Sequence, residues 1–538
     1  MTSRSPARRG ALRFCALAAA ALSIAAIGTG LPAAGQAQDL AIGLSGNVTS
    51  MDPHFHNLSP NSNVAAHVYD RLVHHDERQR VGPGLAVSWR PLDDLTWEFK
   101  LRPGVRFHDG SEFGAEDVVA TLQRVPWVPN SPSPFTLYTR AIVATEVVDP
   151  LTIRFRTRAP WPLLPNDLAT VAIINRKMVE APTGEFNAAR ASIGTGPFKL
   201  VEFIPNDRIT LIRNDDYWGP KPHWQKVTLR IIVNDTARTA AMLAGDVAMI
   251  EAVPTTDLAR LKASPQVSVQ QVTSNRLIYL AMDQARDQSP FALDKAGQPL
   301  AANPLRDLRV RRALSKAINR QAIVERLFEG SAIPAGGFLP DSFFGASPRL
   351  RPDAFDIDGA RRLLAEAGYP NGFALTIHGP NDRYPNDDKV LQAIGPMLTR
   401  IGIDTKVQTL PWATFATQAS APHYAYSVAL LGWGSGTGEV SSPLRALVGT
   451  PNREKGTGAA NRGRYSNPRV DELSDRAMGT VDDAARERLL HEASEIAIGD
   501  LGIIPLYYQI NTWATRRGLT YVARSDEYSL AQFVRPAP

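Results

Sequence analysis

Residues 194–235 read GTGPFKLVEFIPNDRITLIRNDDYWGPKPHWQKVTLRIIVND. Three runs within this stretch, FKLVEF, RITLIR and VTLRIIV, are rich in Val, Ile, Leu and Phe, and turn formers separate them. The pattern predicts three successive strands. Between the last two lies Asn214-Asp215-Asp216-Tyr217-Trp218-Gly219-Pro220, read as a structural turn. Immediately downstream, TARTAAMLAGDVAMIEAV predicts a helix stopped at Gly245 and then a short strand. Strands that alternate with helices place the chain in the α/β class.

The same alternation extends in both directions. Upstream, DLAIGL starts as a buried strand, and Val64, Val68 and Leu72 of NVAAHVYDRLVHHD recur at helical spacing. LTWEFKLRPGVRFHDG reads as a hairpin turning at Pro103-Gly104, and TEVVDPLTIRFRTRAPWP as another turning at Asp149-Pro150. Between them SEFGAEDVVATLQRV is a helix with acids in its first turns. Downstream, NPLRDLRVRRALSKAINRQAIVERLFEG is a long amphipathic helical region with Val310, Ala313, Leu314 and Ile318 as its apolar stripe. Arg309, Arg311 and Arg312 lie off that stripe and read as a solvated face. DIDGARRLLAEAGYPNGFALTIHG and KVLQAIGPMLTRIGIDTKVQTL each read as helix then strand. HYAYSVALLGWG is a strand, and two helices and a final strand close the chain from VDELSDRAM onward.

The ends and the charge narrow the class. Arg4, Arg8, Arg9 and Arg13 precede an Ala-rich apolar run from Cys15 to about Leu31, and Gly35-Gln36-Ala37 offers the small residues a signal peptidase reads. Residues 1–37 are therefore expected to be a secretory signal peptide. Arg8-Arg9 raises the twin-arginine route, although Ala11 stands where that signal has Phe. Cys15, the only cysteine, would leave with the signal, so no disulfide or cysteine metal site is expected. Losing four arginines and no acids takes the formal charge from +6 to +2. A near-neutral surface argues against nucleic acid as a partner. A mature chain of roughly 500 residues is long enough for at least two domains.

Six segments, in order, resemble the extracytoplasmic solute-binding proteins of the dipeptide/oligopeptide transporter family. They are WEFKLRPGVRFHDGSEFGAEDVV, GTGPFKLVEFIPNDRITLIRNDDYWG, AGDVAMI, DLRVRRALSKAINR, ARRLLAEAGYPNG and IPLYY. The resemblance implies an α/β, two-lobe periplasmic-binding-protein fold with an extra subdomain, its lobes joined by two crossing strands. Carried onto this chain, residues 38–78, 196–275 and 500–538 would form lobe I, 79–195 its extra subdomain, and 276–499 lobe II. It also implies a monomer in the periplasm that captures a small-molecule solute, closes around it and delivers it to an inner-membrane ABC permease, with no catalysis and no cofactor.

In peptide binders of this family a Gly-Trp strand end leads into a cleft loop of the second lobe, where an aspartate pairs with the peptide's α-ammonium. Here residues 432–443 read GWGSGTGEVSSP. Trp433 is expected to form a flat wall, and Gly434, Ser435, Gly436 and Thr437 to bring backbone to the ligand. Ser435, Gly436 or Thr437 fills the acidic position, and Glu439 is the only nearby acid. Either Glu439 replaces the aspartate or the ligand is not held by a free amine, because a buried ammonium needs a counter-charge. Comparable first-lobe loops of the family face the solute, which makes Asn47 and Asn57 candidates. Asn381, Arg383 and Tyr384 open a second-lobe loop, where Arg383 could clamp a ligand carboxylate.

Other chemistries find less in the residues. His54, His56, His74 and His75 show no HExxH or comparable spacing, although a metal chelate needs few protein ligands. GLSGN has the wrong spacing for a nucleophile elbow. The reading is a binder of a short peptide or peptide-like solute. The alternative is the same scaffold holding an opine, an oligosaccharide or a metal chelate. A secreted carboxylate-dependent hydrolase is the alternative from another class.

Overall fold

The computed structural model describes residues 39–452 and 454–538; the expected signal peptide lies outside the described residues. Two long strands organise the fold. Val267–Met282 and Ile503–Arg516 run antiparallel along nearly their whole length, from Val267 opposite Arg516 to Ala281 opposite Ile503. Their register breaks most widely between Thr273 and Leu277, and shifts again between Ile278 and Tyr279. On one side of that break Met249–Ile250 pairs with the Ala514–Thr515 end, and the sheet continues through Asp39–Leu44, Lys226–Ile231, Arg208–Arg213 and Phe198–Ile204. On the other, Val428–Gly434 pairs with Arg276–Met282 and leads to Ala374–Pro380, which carries Asp404–Leu410. One continuous sheet thus serves two lobes, and among the described residues only the two long strands cross between them.

The crossing strand is buried on both faces in its second half. Ile278, Leu280 and Met282 enter one core, with Ile377, Leu391 and Leu430, while Leu277, Tyr279 and Ala281 enter another, with Leu431, Leu473 and Ile503. A run without polar alternation is what two-sided burial requires. The first lobe has its own core around Ile42, Leu211, Leu229 and Trp513. A separate four-stranded sheet, Ala86–Asp93, Thr96–Leu101, Thr152–Thr157 and Ile142–Asp149, packs Phe99 and Phe155 against Val118 of the helix Ala115–Arg124 and against Leu164.

The three strands of 194–235 form as read, in an antiparallel meander. The helix Asp235–Ala244 ends at Gly245, whose φ of +85° is the left-handed cap that favours glycine. Three expectations change. The helix of NVAAHVYDRLVHHD spans Ser59–Val68 and stops before Leu72. There Gly194 and Gly196 press onto its last turn, and a Cβ on Gly194 would lie 1.9 Å from the Val68 carbonyl oxygen, so the chain turns away as an extended segment. Thr96–Leu101 pairs with the strands on either side, Ala86–Asp93 and Thr152–Thr157, not with Val105 and Phe107, which turn inward beyond Pro103-Gly104 as core residues. The long helical region is two helices, Leu308–Ala317 and Arg320–Phe328, because the side chains of Asp307 and Asn319 each cap a new start.

Arg311 corrects the reading of a solvated face. It is buried, and its guanidinium donates to the carbonyls of Leu305, Arg306 and Asp500, fastening this helix to the end of a later one. Arg309 stays exposed, paired with Asp307 at 2.6 Å. Among the described residues no helix is long and apolar enough to cross a membrane.

Candidate functional site

At the register break the crossing strand projects Asn275 and Arg276 into a cavity of about 510 Å³. That volume suits a small solute. Both lobes wall it. Gly434, Ser435 and Gly436 come from the second lobe; Asn57, Ser62, Asp70, Arg71 and Tyr138 come from the first-lobe side, and Asp526, Glu527 and Tyr528 from the C-terminal segment.

The lobes touch across this cavity through backbone. Ser435 offers its carbonyl to Asn275 Nδ2 at 2.8 Å and to Gln79 Nε2 at 3.3 Å, and Asn275 also donates to Gln79 Oε1 at 2.6 Å. Asn166 Nδ2 donates to the Thr437 carbonyl at 2.9 Å. Gly438 lies so close to the Gln79 backbone that a Cβ there would sit 2.8 Å from its carbonyl oxygen, at a φ of +67°. The small residues of GWGSGTGEV are therefore where one lobe's backbone meets the other lobe.

Of the residues singled out in the sequence, the structure brings Asn57, Gly434, Ser435 and Gly436 to the cavity wall. The others lie outside that wall. Trp433 is half-buried against the second-lobe core and donates Nε1 to Ser442 Oγ at 3.4 Å. Thr437 is buried and takes part through its carbonyl. Tyr384 is buried and donates to the Gly432 carbonyl at 3.3 Å; exposed Arg383 lies over the Tyr384 and Trp412 rings at 5.4 and 5.5 Å. Asn381 and Asn47 are exposed.

Glu439 departs furthest from its expected role. Its carboxylate is buried in the second lobe, held by Arg486 at 2.5 Å and by the Ser441 hydroxyl. Burial pushes its pKa up, and the Arg486 guanidinium opposes that shift. Both of its oxygens are engaged inside the lobe, and Glu439 is not part of the cavity wall.

Sequence reasoning missed most of the polar wall. Asp70 is buried and accepts from Trp218 Nε1 at 2.7 Å, Thr195 Oγ1 at 2.9 Å and Tyr217 OH at 3.3 Å. The Asn214–Pro220 turn is thus tied to the cavity rather than merely closing a loop. Burial pushes Asp70 up to about 6, against the pull of those donors. His74 and His75 also line the wall; burial and nearby arginines bring His74 down to about 3, and burial brings His75 down to about 4, so both are neutral near pH 7. Arg276 forms two bonds to Glu527, at 3.0 and 3.1 Å, and Arg524 reaches Asp526 at 2.5 Å. The available signal was Asp70-Arg71 placed next to each other inside an apolar run. Among the described residues no three His, Cys, Asp or Glu side chains gather as a metal site.

Comparison with known proteins agrees with this architecture. Residues 80–455 match the model of the bacterial extracellular solute-binding proteins, family 5, middle. The glutathione-binding protein GsiB of Escherichia coli is 30% identical over 491 residues, covering 90% of this chain and 91% of the relative. HbpA2 of Haemophilus parasuis superposes with a TM-score of 0.79 at 24% identity, over 93% of this chain and 100% of that one. The periplasmic binding protein DppA of Helicobacter pylori, solved with the peptide STSA, gives 0.73 at 24% identity, over 93% and 98%. The two-lobe fold is shared with these structures, and the family captures solutes rather than transforming them. This chain belongs to the bacterial extracellular solute-binding proteins of family 5.

Proposed function

We propose that the chain, exported by way of residues 1–37, works in the periplasm as the monomeric solute-capturing subunit of an ABC importer. It holds a short peptide or peptide-like solute between its lobes and presents it to an inner-membrane permease. The observation that carries this reading is the cavity of about 510 Å³ walled by both lobes and by the crossing strand between them. A solute there gains contacts from both sides only when the lobes are shut, so it favours closure by its differential affinity. Glutathione and the peptide STSA, which two similar proteins bind, support this chemical class.

The expected route of recognition is neutral at the second-lobe loop. Asn57 and the backbone of Gly434 to Gly436 suit a peptide amide, which needs both donors and acceptors. A second reading, a non-peptide solute such as an opine, oligosaccharide or metal chelate, draws on one observation: Glu439, the only acid in GWGSGTGEVSSP, is already paired with Arg486.

Thermal unfolding of the mature chain against dipeptides, tripeptides, glutathione, opines, sugars and chelated nickel tests this. A solute at ~100 times its dissociation constant stabilises the folded state by roughly 2.7 kcal/mol, which moves the midpoint visibly. A shift with peptides or glutathione supports the reading. A shift with sugars or nickel chelate alone overturns the peptide class.

A further inference from the structure

We infer that Arg71 anchors an anionic group of the solute, a carboxylate that the protein itself does not supply. The inference rests on the reading of this cavity as the solute site and names the chemistry it selects. Arg71 lines the cavity yet is only 8% exposed. Among the described residues its side chain makes one hydrogen bond, from Nη2 to the Ser62 carbonyl at a long 3.4 Å, and its Nε has no partner. It forms no ion pair with any described carboxylate.

The neighbouring charges are already spent. Arg276 holds Glu527, Arg524 holds Asp526, and Asp76 holds Arg80 at 2.7 Å. Asp70, next to Arg71 in the chain, gives its oxygens to Trp218, Thr195 and Tyr217. The wall's other charges outside an Arg–carboxylate pair are Asp70, whose oxygens are turned to neutral donors, half-buried Glu77 and exposed Arg535, so Arg71 is the buried cation of the wall with no ion pair among the described residues. A guanidinium removed from water without a counter-charge is costly, and an incoming anion removes that cost. Planar guanidinium also matches carboxylate with two parallel hydrogen bonds.

Three further buried atoms in this wall lack partners among the described residues: His74 Nε2, His75 Nε2 and Gln532 Oε1. Partnerless buried polar atoms are rare in native proteins. Four in one cavity mark a surface shaped for a polar ligand, and the guanidinium nitrogen among them is the one that asks for an anion.

The test compares acids with their capped forms by calorimetry on the whole mature protein. Three probe pairs are used: tri-alanine and its amide, glutathione and its diethyl ester, and an N-(1-carboxyethyl) amino acid and its dimethyl ester. In any pair that binds, the free acid is expected to bind about 10- to 100-fold tighter, as for a charge-assisted hydrogen bond. Arg71→Gln should erase that gap and Arg71→Lys should keep part of it. Equal binding of acid and capped form in the native protein, which requires no variant to fold, overturns the assignment while leaving the peptide reading intact. A gap that survives in folded Arg71→Gln protein overturns it too. A gap seen only with the carboxyethyl pair keeps Arg71 as the anchor and removes the peptide reading. Silence of all three pairs overturns the inference.

Discussion

Arg486 donates to Glu439 at 2.5 Å inside the second lobe, and neither side chain is more than 6% exposed. The pair joins the loop after Trp433 to the helix Asp483–Gly499. It turns the only acid of GWGSGTGEVSSP into a structural element, and leaves the part of that loop that lines the cavity, Gly434 to Gly436, uncharged.

Glu439→Gln should therefore cost stability rather than affinity. Removing one partner of a buried pair strands the other charge, at roughly 3 kcal/mol, the low end of the usual range because Arg486 also reaches Asp483 at 3.0 Å. Urea unfolding and calorimetry on the same preparation separate the two effects. A folded variant of native stability that has lost its ligand would return Glu439 to the binding site.

Gly438→Ala should hold the lobes apart. The added methyl meets the Gln79 backbone of the opposite lobe and also sits at a left-handed φ, where a side chain costs roughly 1–2 kcal/mol. Solute affinity is expected to fall about tenfold, and small-angle scattering with solute present should give a larger radius of gyration than the native protein shows.

Asn166→Ala deletes a bond across the cleft, from Nδ2 to the Thr437 carbonyl, and no core contact. A net loss of about 1 kcal/mol weakens solute binding about fivefold. The unfolding midpoint of the ligand-free protein should stay where it was, since the bond joins lobes rather than stabilising either.

Affinity for an anionic solute should rise as pH falls from 8 to 5. Asp70, raised to about 6 by burial, loses its negative charge over this range beside the Arg71 guanidinium, so a bound carboxylate meets less repulsion. His74 and His75, at about 3 and 4, remain neutral and do not oppose the trend. By linkage, the bound anion raises Asp70 further. Calorimetry across this pH range should show the dependence in the native protein and not in Asp70→Asn.

Arg124→Met tests the first lobe. Arg124 reaches Asp52 at 2.9 and 2.6 Å, both buried, and donates to His54 Nδ1 at 3.0 Å, while His54 Nε2 donates to the Ala172 carbonyl at 2.8 Å. Burial and Arg124 bring His54 down to about 4. Its folded value lies below its unfolded one, so this histidine's contribution is present above about pH 6.5 and lost as pH falls towards 4. The variant should lose roughly 3–5 kcal/mol to unpaired Asp52, and proton resonances of His54 should titrate at higher pH.

Much of the fold was legible because strands and helices announce themselves locally. The alternation of FKLVEF and RITLIR, the Gly245 stop and the Asp149-Pro150 turn depend on residues a few positions apart, and each sits in the structure as read. The misreadings share one cause. The end of the helix at Val68 is set by Gly194 and Gly196, and the partners of Thr96–Leu101 depend on a strand some 55 residues on. Arg311 looked solvated because the Asp500 carbonyl that receives it lies 189 positions away.

For the site the division is sharper. The sequence alone determined the α/β class and the small-residue loop after Trp433, from periodicity and composition, and its ordered motifs carried the resemblance that implied two lobes. Only the tertiary structure decided which charges are free. Glu439 is spent on a residue 47 positions away, and Ser435 meets Asn275 across 160 and Gln79 across 356, while Arg71 Nε finds no partner among the described residues. Whether a charge is neutralised depends on what lies within a few ångströms of it, and folding, not sequence spacing, sets that distance.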